Sequence, residues 1–212
     1  KLEKTKRSEK APLLYDLTSL QREANSRFGF SARRTLAAAQ RLYEEHKLLT
    51  YPRTNSRFLS GDMTADLKPI AGFVGRAPEY AKAAAYVQSL DVLPLGRVVN
   101  DAKVTDHHAI IPTKSEHRLD KMNADDRRIY DLVARRFLAV FHPDAEFENT
   151  RVETTVGEHV FRTRGKVLLV PGWRGVYGEL ADAEASDSDE GRDQQLPKLE
   201  QGETVDTRKI ES

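Results

Sequence analysis

The segment Leu49-Thr50-Tyr51-Pro52-Arg53-Thr54-Asn55-Ser56-Arg57 sets a phenol, two guanidinium groups and small polar side chains on one short stretch of chain. A tyrosine can attack phosphorus and hold the product as a phosphodiester, and a nearby arginine can grip the non-bridging oxygens with two parallel hydrogen bonds as charge develops. Pro52 stiffens the exit from Tyr51. The same composition also describes a Tyr-Pro turn carrying solvated arginines. The second dense cluster is Asp106-His107-His108-Ala109-Ile110-Ile111-Pro112-Thr113. Adjacent histidines beside a carboxylate suggest a metal, but neighbouring positions in one segment rarely converge on one ion, and no other His or carboxylate has a completing spacing. An imidazole that donates to a phosphoryl oxygen or shuttles a proton fits better. A histidine satisfied inside a loop remains the plain alternative.

The elements that must hold these clusters can be read from capping signals and periodicity. Thr18-Ser19-Leu20-Gln21 has the form of a capping box, which starts a helix near Thr18, and Gly29 suits its left-handed end. Ser31 can cap a second helix. At about 100° per residue Leu36, Ala39, Leu42 and Tyr43 share one face while Arg34 and Arg41 project from another. Pro52, Gly61, Pro69, Gly72, Gly75 and Pro78 then break any long period from Tyr51 onward, and a shorter helix runs from Pro78 to Leu90. Residues 91–121 read as loop with short extended pieces around Val98 to Thr105. Asn123 caps a strong helix in which Ile129, Leu132, Val133, Phe137 and Val140 line one face, ended by Pro143.

Beyond Pro143 the period changes from helical to strand-like. Arg151–Val156 and His159–Arg164 flank Gly157-Glu158 as a hairpin, and Gly165–Val170 adds a further strand. A domain boundary therefore falls near Pro143. Residues 181–195, rich in Asp, Glu, Ser and Gln, cannot bury enough apolar surface to order themselves and read as a mobile acidic loop.

Composition narrows the classes. The 212 residues contain no cysteine, which excludes a disulfide scaffold, a thiolate metal site and a cysteine nucleophile. No run approaches the roughly 18–20 apolar residues of a membrane span, and the charged opening Lys1–Lys10 is unlike a secretory signal, so a cytoplasmic location is expected. The net charge of +1 hides an asymmetry: residues 1–60 carry 13 Lys and Arg against 6 Asp and Glu, and the remainder is acidic. A basic first third suits a polyanion, because Lys and Arg that neutralise phosphates release condensed counterions.

Four motifs occur in order and at spacings that resemble the type IA DNA topoisomerases, in particular the bacterial topoisomerase III branch. They are Tyr15-Asp16-Leu17-Thr18-Ser19-Leu20-Gln21-Arg22-Glu23-Ala24-Asn25, then Phe28-Gly29-Phe30-Ser31-Ala32, the Leu49–Arg57 segment and the Asp106–Thr113 segment. The short link from Leu42-Tyr43-Glu44 to Thr50-Tyr51-Pro52-Arg53 is the feature closest to topoisomerase III. Gly165–Gly178, with Pro171-Gly172-Trp173, resembles the family's return into its β-rich gate domain.

The resemblance implies an α+β chain: a mostly helical domain over residues 13–143 that carries the tyrosine, with residues 1–12 and 144–212 in a β-rich hinge domain. It implies that Tyr51 is the nucleophile, cutting one strand of single-stranded DNA to leave a 5′-phosphotyrosine link and a free 3′-hydroxyl. A second strand then passes through the gap, and resealing needs no ATP. Arg53 matches the arginine that positions the scissile phosphate and His107 the histidine that supports it. Ser19, Gln21, Arg22, Arg34 and Arg57 are the further candidates for DNA contacts. The resemblance also implies a bacterial enzyme acting at the nucleoid or on plasmids, with the remaining domains of the same enzyme as partners.

The chain departs from the family in two respects. Asn55 stands where the family usually has aspartate, which removes a carboxylate near Arg53 and Arg57. Nothing here matches the acidic magnesium-binding domain, with its catalytic glutamate and lysine, so Mg2+ is expected only in the complete enzyme and no metal is expected within this chain. An ordinary phenol holds its proton at neutral pH and no base for it is evident. Two other classes stay open: a single-stranded nucleic-acid-binding module that never cleaves, and a metal-dependent phosphoesterase built on Asp106, His107 and His108.

Overall fold

The computed structural model describes residues 1–116, 122–178, 196 and 201–204. Among these it is an α+β chain of five α-helices and one small antiparallel sheet, divided into two compact units. The acidic segment 181–195 lies outside the described residues.

The helical unit comprises Ala11–Pro143 and Trp173–Tyr177. Its first helix, α1 (Leu17–Phe28), is capped two residues earlier than the Thr18 box suggests: Asp16 accepts from the Ser19 amide at 2.6 Å, and the Asp16 amide donates back to Ser19 Oγ at 3.1 Å. A carboxylate is the better acceptor for the free amides of a helix start. Gly29 ends the helix at φ +65°, where a side chain would be strained. Helix α2 (Ala32–Glu44) is capped by Ser31 and buries Thr35, Ala38, Ala39 and Leu42. The buried face is thus rotated from the one the periodicity gives: Leu36 is half-buried and Tyr43 stays exposed. Small alanines let α2 approach α5 (Ala124–Ala139) closely, and tertiary packing selects that face.

Helix α3 (Thr64–Val74) is absent from the sequence reading because Pro69 lies inside it. An interior proline costs roughly 3 kcal/mol. Burial of Leu67, Ile70, Ala71 and Val74 outweighs this, at roughly 1.5–3 kcal/mol for each large aliphatic side chain. The corner into α4 (Pro78–Ser89) requires Gly75, since a Cβ there would stand 2.5 Å from the Cβ of Ala84. Around Val98 to Thr105 the extended pieces reduce to one isolated bridge, Leu59 to Val99, and 3-10 turns at Leu95–Arg97 and Asp101–Lys103.

Asn123 caps α5 by accepting from the Asp126 amide at 2.9 Å. The Asp126 carboxylate is fully buried, bound by Arg41 of α2 at 2.6 Å and by Asn123 Nδ2 at 2.8 Å. At the other end of α5, the buried Arg136 donates to Tyr177 Oη at 2.9 Å, to the Leu13 carbonyl at 3.0 Å and to Glu23 of α1. Its guanidinium also lies 4.2 Å from the Tyr15 ring centre. This network explains why Trp173–Tyr177 joins the helices rather than the β-rich domain: Trp173, Val176 and Tyr177 are buried, and the Trp173 amide donates to the Pro143 carbonyl at 2.9 Å.

The sheet unit contains Lys1–Lys10 and Asp144–Gly172. Strand β1 (Leu2–Glu9) pairs antiparallel with the central β2 (Ala145–Val156), which pairs antiparallel with β3 (His159–Val170). Gly165–Val170 therefore extends β3 and is no separate strand. Gly157 has φ +60° and Glu158 does not, the pattern of a turn whose twist suits a two-residue hairpin.

Two stability consequences follow from the helical unit. Replacing Arg136 by Met removes one of the two cations paired with Glu23, the other being Arg27, and strands the Leu13 carbonyl, so urea unfolding is expected to show a loss of about 3 kcal/mol. His142 is half-buried with Nδ1 2.9 Å from the Leu138 carbonyl, and burial lowers its pKa below the ordinary histidine value. Folding then favours the neutral ring: that contribution is fully present above about pH 6.5 and declines as pH falls below it, where the unfolded chain binds the proton more readily. Urea midpoints on either side of that pH should converge when His142 is replaced by Gln.

Candidate active site

The two chemistry-bearing clusters come together in the helical unit, on segments with no regular secondary structure. From Pro52 to Ser56 burial alternates strictly, with Pro52, Thr54 and Ser56 inward and Arg53 and Asn55 outward. This is the period of an extended chain, and it turns Arg53 to solvent. The inward polar groups are satisfied individually. Thr54 Oγ1 donates to the His107 carbonyl at 3.0 Å and accepts from the Ser56 amide at 3.0 Å. Ser56 Oγ donates to the Lys103 carbonyl at 2.9 Å and accepts from the Phe58 amide at 3.1 Å.

The second segment is laced to its surroundings by backbone bonds. Ile110 donates to the Tyr15 carbonyl at 2.8 Å, Ala109 to Phe58 at 2.9 Å and Thr113 to Leu48 at 3.0 Å. Thr50 donates its amide to the Ile111 carbonyl at 3.0 Å, and its hydroxyl accepts from the Ile111 amide at 3.0 Å. The residues on either side of Tyr51 are thereby fixed to the residues just after His107.

The outcome is a ring contact. Tyr51 and His107 have centroids 4.5 Å apart at an interplanar angle of 47°. The Tyr43 ring, from the last turn of α2, meets Tyr51 edge-on at 5.5 Å and 77°. Tyr51 is half-buried, while His107 and Arg53 are exposed, and Arg53 has no side-chain partner among the described residues. His108 is turned differently, with Nδ1 2.8 Å from the Ala109 carbonyl.

The other candidates are distributed unevenly. Arg57 Nε donates to the Leu14 carbonyl at 3.1 Å, Gln21 Nε2 to the Ala32 carbonyl at 3.1 Å, and Ser19 is engaged in the α1 cap. Arg22 is exposed with no side-chain partner among the described residues. Arg34 is held by both oxygens of Asp125 at 2.7 Å, and this pair keeps the Asp125 carboxyl below its usual range. Arg34 and Arg41 thus do not form the open basic face that their helical spacing suggests, because α5 presents a carboxylate to each. Sequence reasoning missed Thr54, Thr50 and Tyr43. The signal for Thr54 was available in the alternation of Pro52 to Ser56, where two small hydroxyls occupy the inward positions.

Among the described residues no group of three or more His, Cys, Asp or Glu converges. Among the same residues no helix is long and apolar enough to cross a membrane.

A family model described as DNA topoisomerase matches residues 1–212. DNA topoisomerase 3 of Bacillus licheniformis is 47% identical over 209 residues, covering 99% of this chain and 28% of that protein. DNA topoisomerase 3 of Bacillus subtilis is 45% identical over the same coverage. The chain therefore spans about a quarter of the length of these relatives. Among solved structures, full-length topoisomerase I from Thermotoga maritima superposes with a TM-score of 0.61 over 94% of this chain and 31% of that one, at 21% identity, which is a likeness of fold. The chain belongs to the type IA DNA topoisomerase family and is topoisomerase III-like.

Proposed function

We propose that this chain is the tyrosine-bearing segment of a longer topoisomerase and that Tyr51 cleaves one strand of single-stranded DNA. The observation that carries the reading is the ring contact between Tyr51 and His107, with Arg53, which has no side-chain partner among the described residues, two residues along on the same extended segment. Tyr51 Oη forms a bond to phosphorus as the bond from phosphorus to the 3′-oxygen breaks. The phenol gives up its proton and the departing 3′-oxygen takes one up. The product is a 5′-phosphotyrosine and a free 3′-hydroxyl. One phosphodiester replaces another, so the reverse attack reseals the strand without ATP after a second strand has passed.

Arg53 holds the non-bridging oxygens and His107 donates to the same phosphate as charge builds. Magnesium belongs to an acidic domain outside this chain, which also supplies the acid and base for the transfer. Arg22 contacts the strand on either side of the cut, while Ser19, Gln21 and Arg57 support it through the elements they fix. The bacterial relatives support a place in the cytoplasm, and action at the nucleoid or on plasmid DNA goes with the same reading.

The test is to incubate a 3′-labelled single-stranded oligonucleotide with this chain and magnesium, with and without the acidic domain, and to look for labelled protein on a denaturing gel. A covalent band that needs the added domain and vanishes with Tyr51→Phe is expected. Retained DNA in filter binding with no band under either condition would instead favour a non-catalytic binding module. Because Arg34 is already paired with Asp125, Arg34→Ala is expected to leave single-strand affinity nearly unchanged. Arg22→Ala and Arg53→Ala should each reduce the slope of log affinity against log salt by about 1, measured by filter binding over a salt series.

A further inference from the structure

We infer that Thr54 is a positioning residue for the proposed cleavage, acting by holding His107 against Tyr51. The inference rests on the reading of Tyr51 and His107 given above. Thr54 is 6% exposed, and its carbonyl and its hydroxyl are both engaged. Its carbonyl accepts from the Leu17 amide at the start of α1 at 3.0 Å, and its hydroxyl accepts from the Ser56 amide and donates to the His107 carbonyl, each at 3.0 Å. One residue thus joins three pieces: the first turn of α1, the extended segment of Tyr51 and the peptide unit of His107.

The contact to His107 matters because of what else fixes that residue. Backbone bonds tie the neighbouring segment at Ala109, Ile110, Ile111 and Thr113. His107 itself is exposed, and its carbonyl is met by Thr54. The histidine therefore hangs on the near end of a laced segment, and the Thr54 hydroxyl is the side-chain contact that sets the direction of its peptide plane. Losing that bond frees the ring to leave the 4.5 Å contact with Tyr51 while the far end of the segment stays in place. The role is distinct from a general core contact, since a hydroxyl is needed and apolar volume alone does not supply it.

Thr54→Val keeps the shape and removes the hydroxyl, and Thr54→Ser keeps the hydroxyl. In the full-length enzyme, single-turnover cleavage of a labelled single strand is expected to fall about tenfold in Thr54→Val, the equivalent of one net hydrogen bond, with affinity for the strand unchanged. Thr54→Ser should stay within about twofold of the parent. In a His107→Ala background, Thr54→Val should add almost nothing, because its route of action is already gone. An equal loss in both backgrounds, or none in the parent, overturns the inference. His107→Ala without effect on cleavage overturns the reading of the site instead. A second readout is independent of activity. The His107 ring protons in this chain should carry a ring-current shift that disappears with Tyr51→Leu and shrinks in Thr54→Val, and a shift unchanged in Thr54→Val also overturns the inference. Should Thr54→Val fail to fold by circular dichroism, Thr54→Cys, a weaker donor of similar size, takes its place in both measurements.

Discussion

Two irregular segments that could not fold alone must satisfy each other's backbone, and the site depends on that requirement. A loop buried against protein carries amides and carbonyls that no helix or sheet accounts for, and each unpaired one costs on the order of 1–3 kcal/mol. Here Leu48 to Leu59 and Ala109 to Thr113 exchange some of those bonds, and Tyr15, Leu17, Leu42, Val98 and Asn100 take others. Hydroxyls at Thr50, Thr54 and Ser56 complete the set where backbone does not reach backbone. Small hydroxyl side chains therefore take the inward positions at Thr54 and Ser56, next to the inward Pro52, and the outward positions between them are left to Arg53 and Asn55.

The scaffold that keeps these segments in register is held by charges as well as by apolar packing. Asp126 and Arg136 lie on one helix and are buried at its two ends. Asp126 ties α5 to α2 through Arg41, and Arg136 ties α5 to α1 through Glu23 and to Tyr177. A buried ion pair adds little net stability compared with apolar residues of the same shape, but breaking one partner is costly. Such pairs specify which helix faces meet. This accounts for the rotation of α2 onto Thr35, Ala38 and Ala39 and for the position of Tyr43, whose ring then reaches Tyr51.

The division of labour in the proposed chemistry follows. Ser19 is engaged in the α1 cap and Arg34 with Asp125, Gln21 and Arg57 each give one N–H to a backbone carbonyl, and Arg22 and Arg53 remain uncommitted among the described residues. The histidine pair separates the same way, with His108 turned to its own backbone and His107 to the Tyr51 ring. A nucleophile on an extended segment pinned on both sides loses little further freedom when substrate arrives, which is the physical content of preorganisation.

Much of this was legible in the residues. The Gly29 and Ser31 caps, the Asn123 cap and apolar face of α5, the Gly157-Glu158 hairpin and the resemblance carried by Tyr51 to Arg57 are local signals, and local backbone chemistry determines them. The sequence by itself also determined the family, since four motifs in order survive without any knowledge of contacts. Tertiary structure decided the rest, because each remaining feature is a comparison between distant segments. Whether Pro69 breaks a helix depends on how much Leu67, Ile70 and Val74 bury. Whether Arg34 is free depends on Asp125, far along the chain, and whether Trp173–Tyr177 sides with sheet or helices depends on Arg136. That Thr54 bears on His107 follows from a hydrogen bond across 53 residues of sequence, which no local pattern encodes.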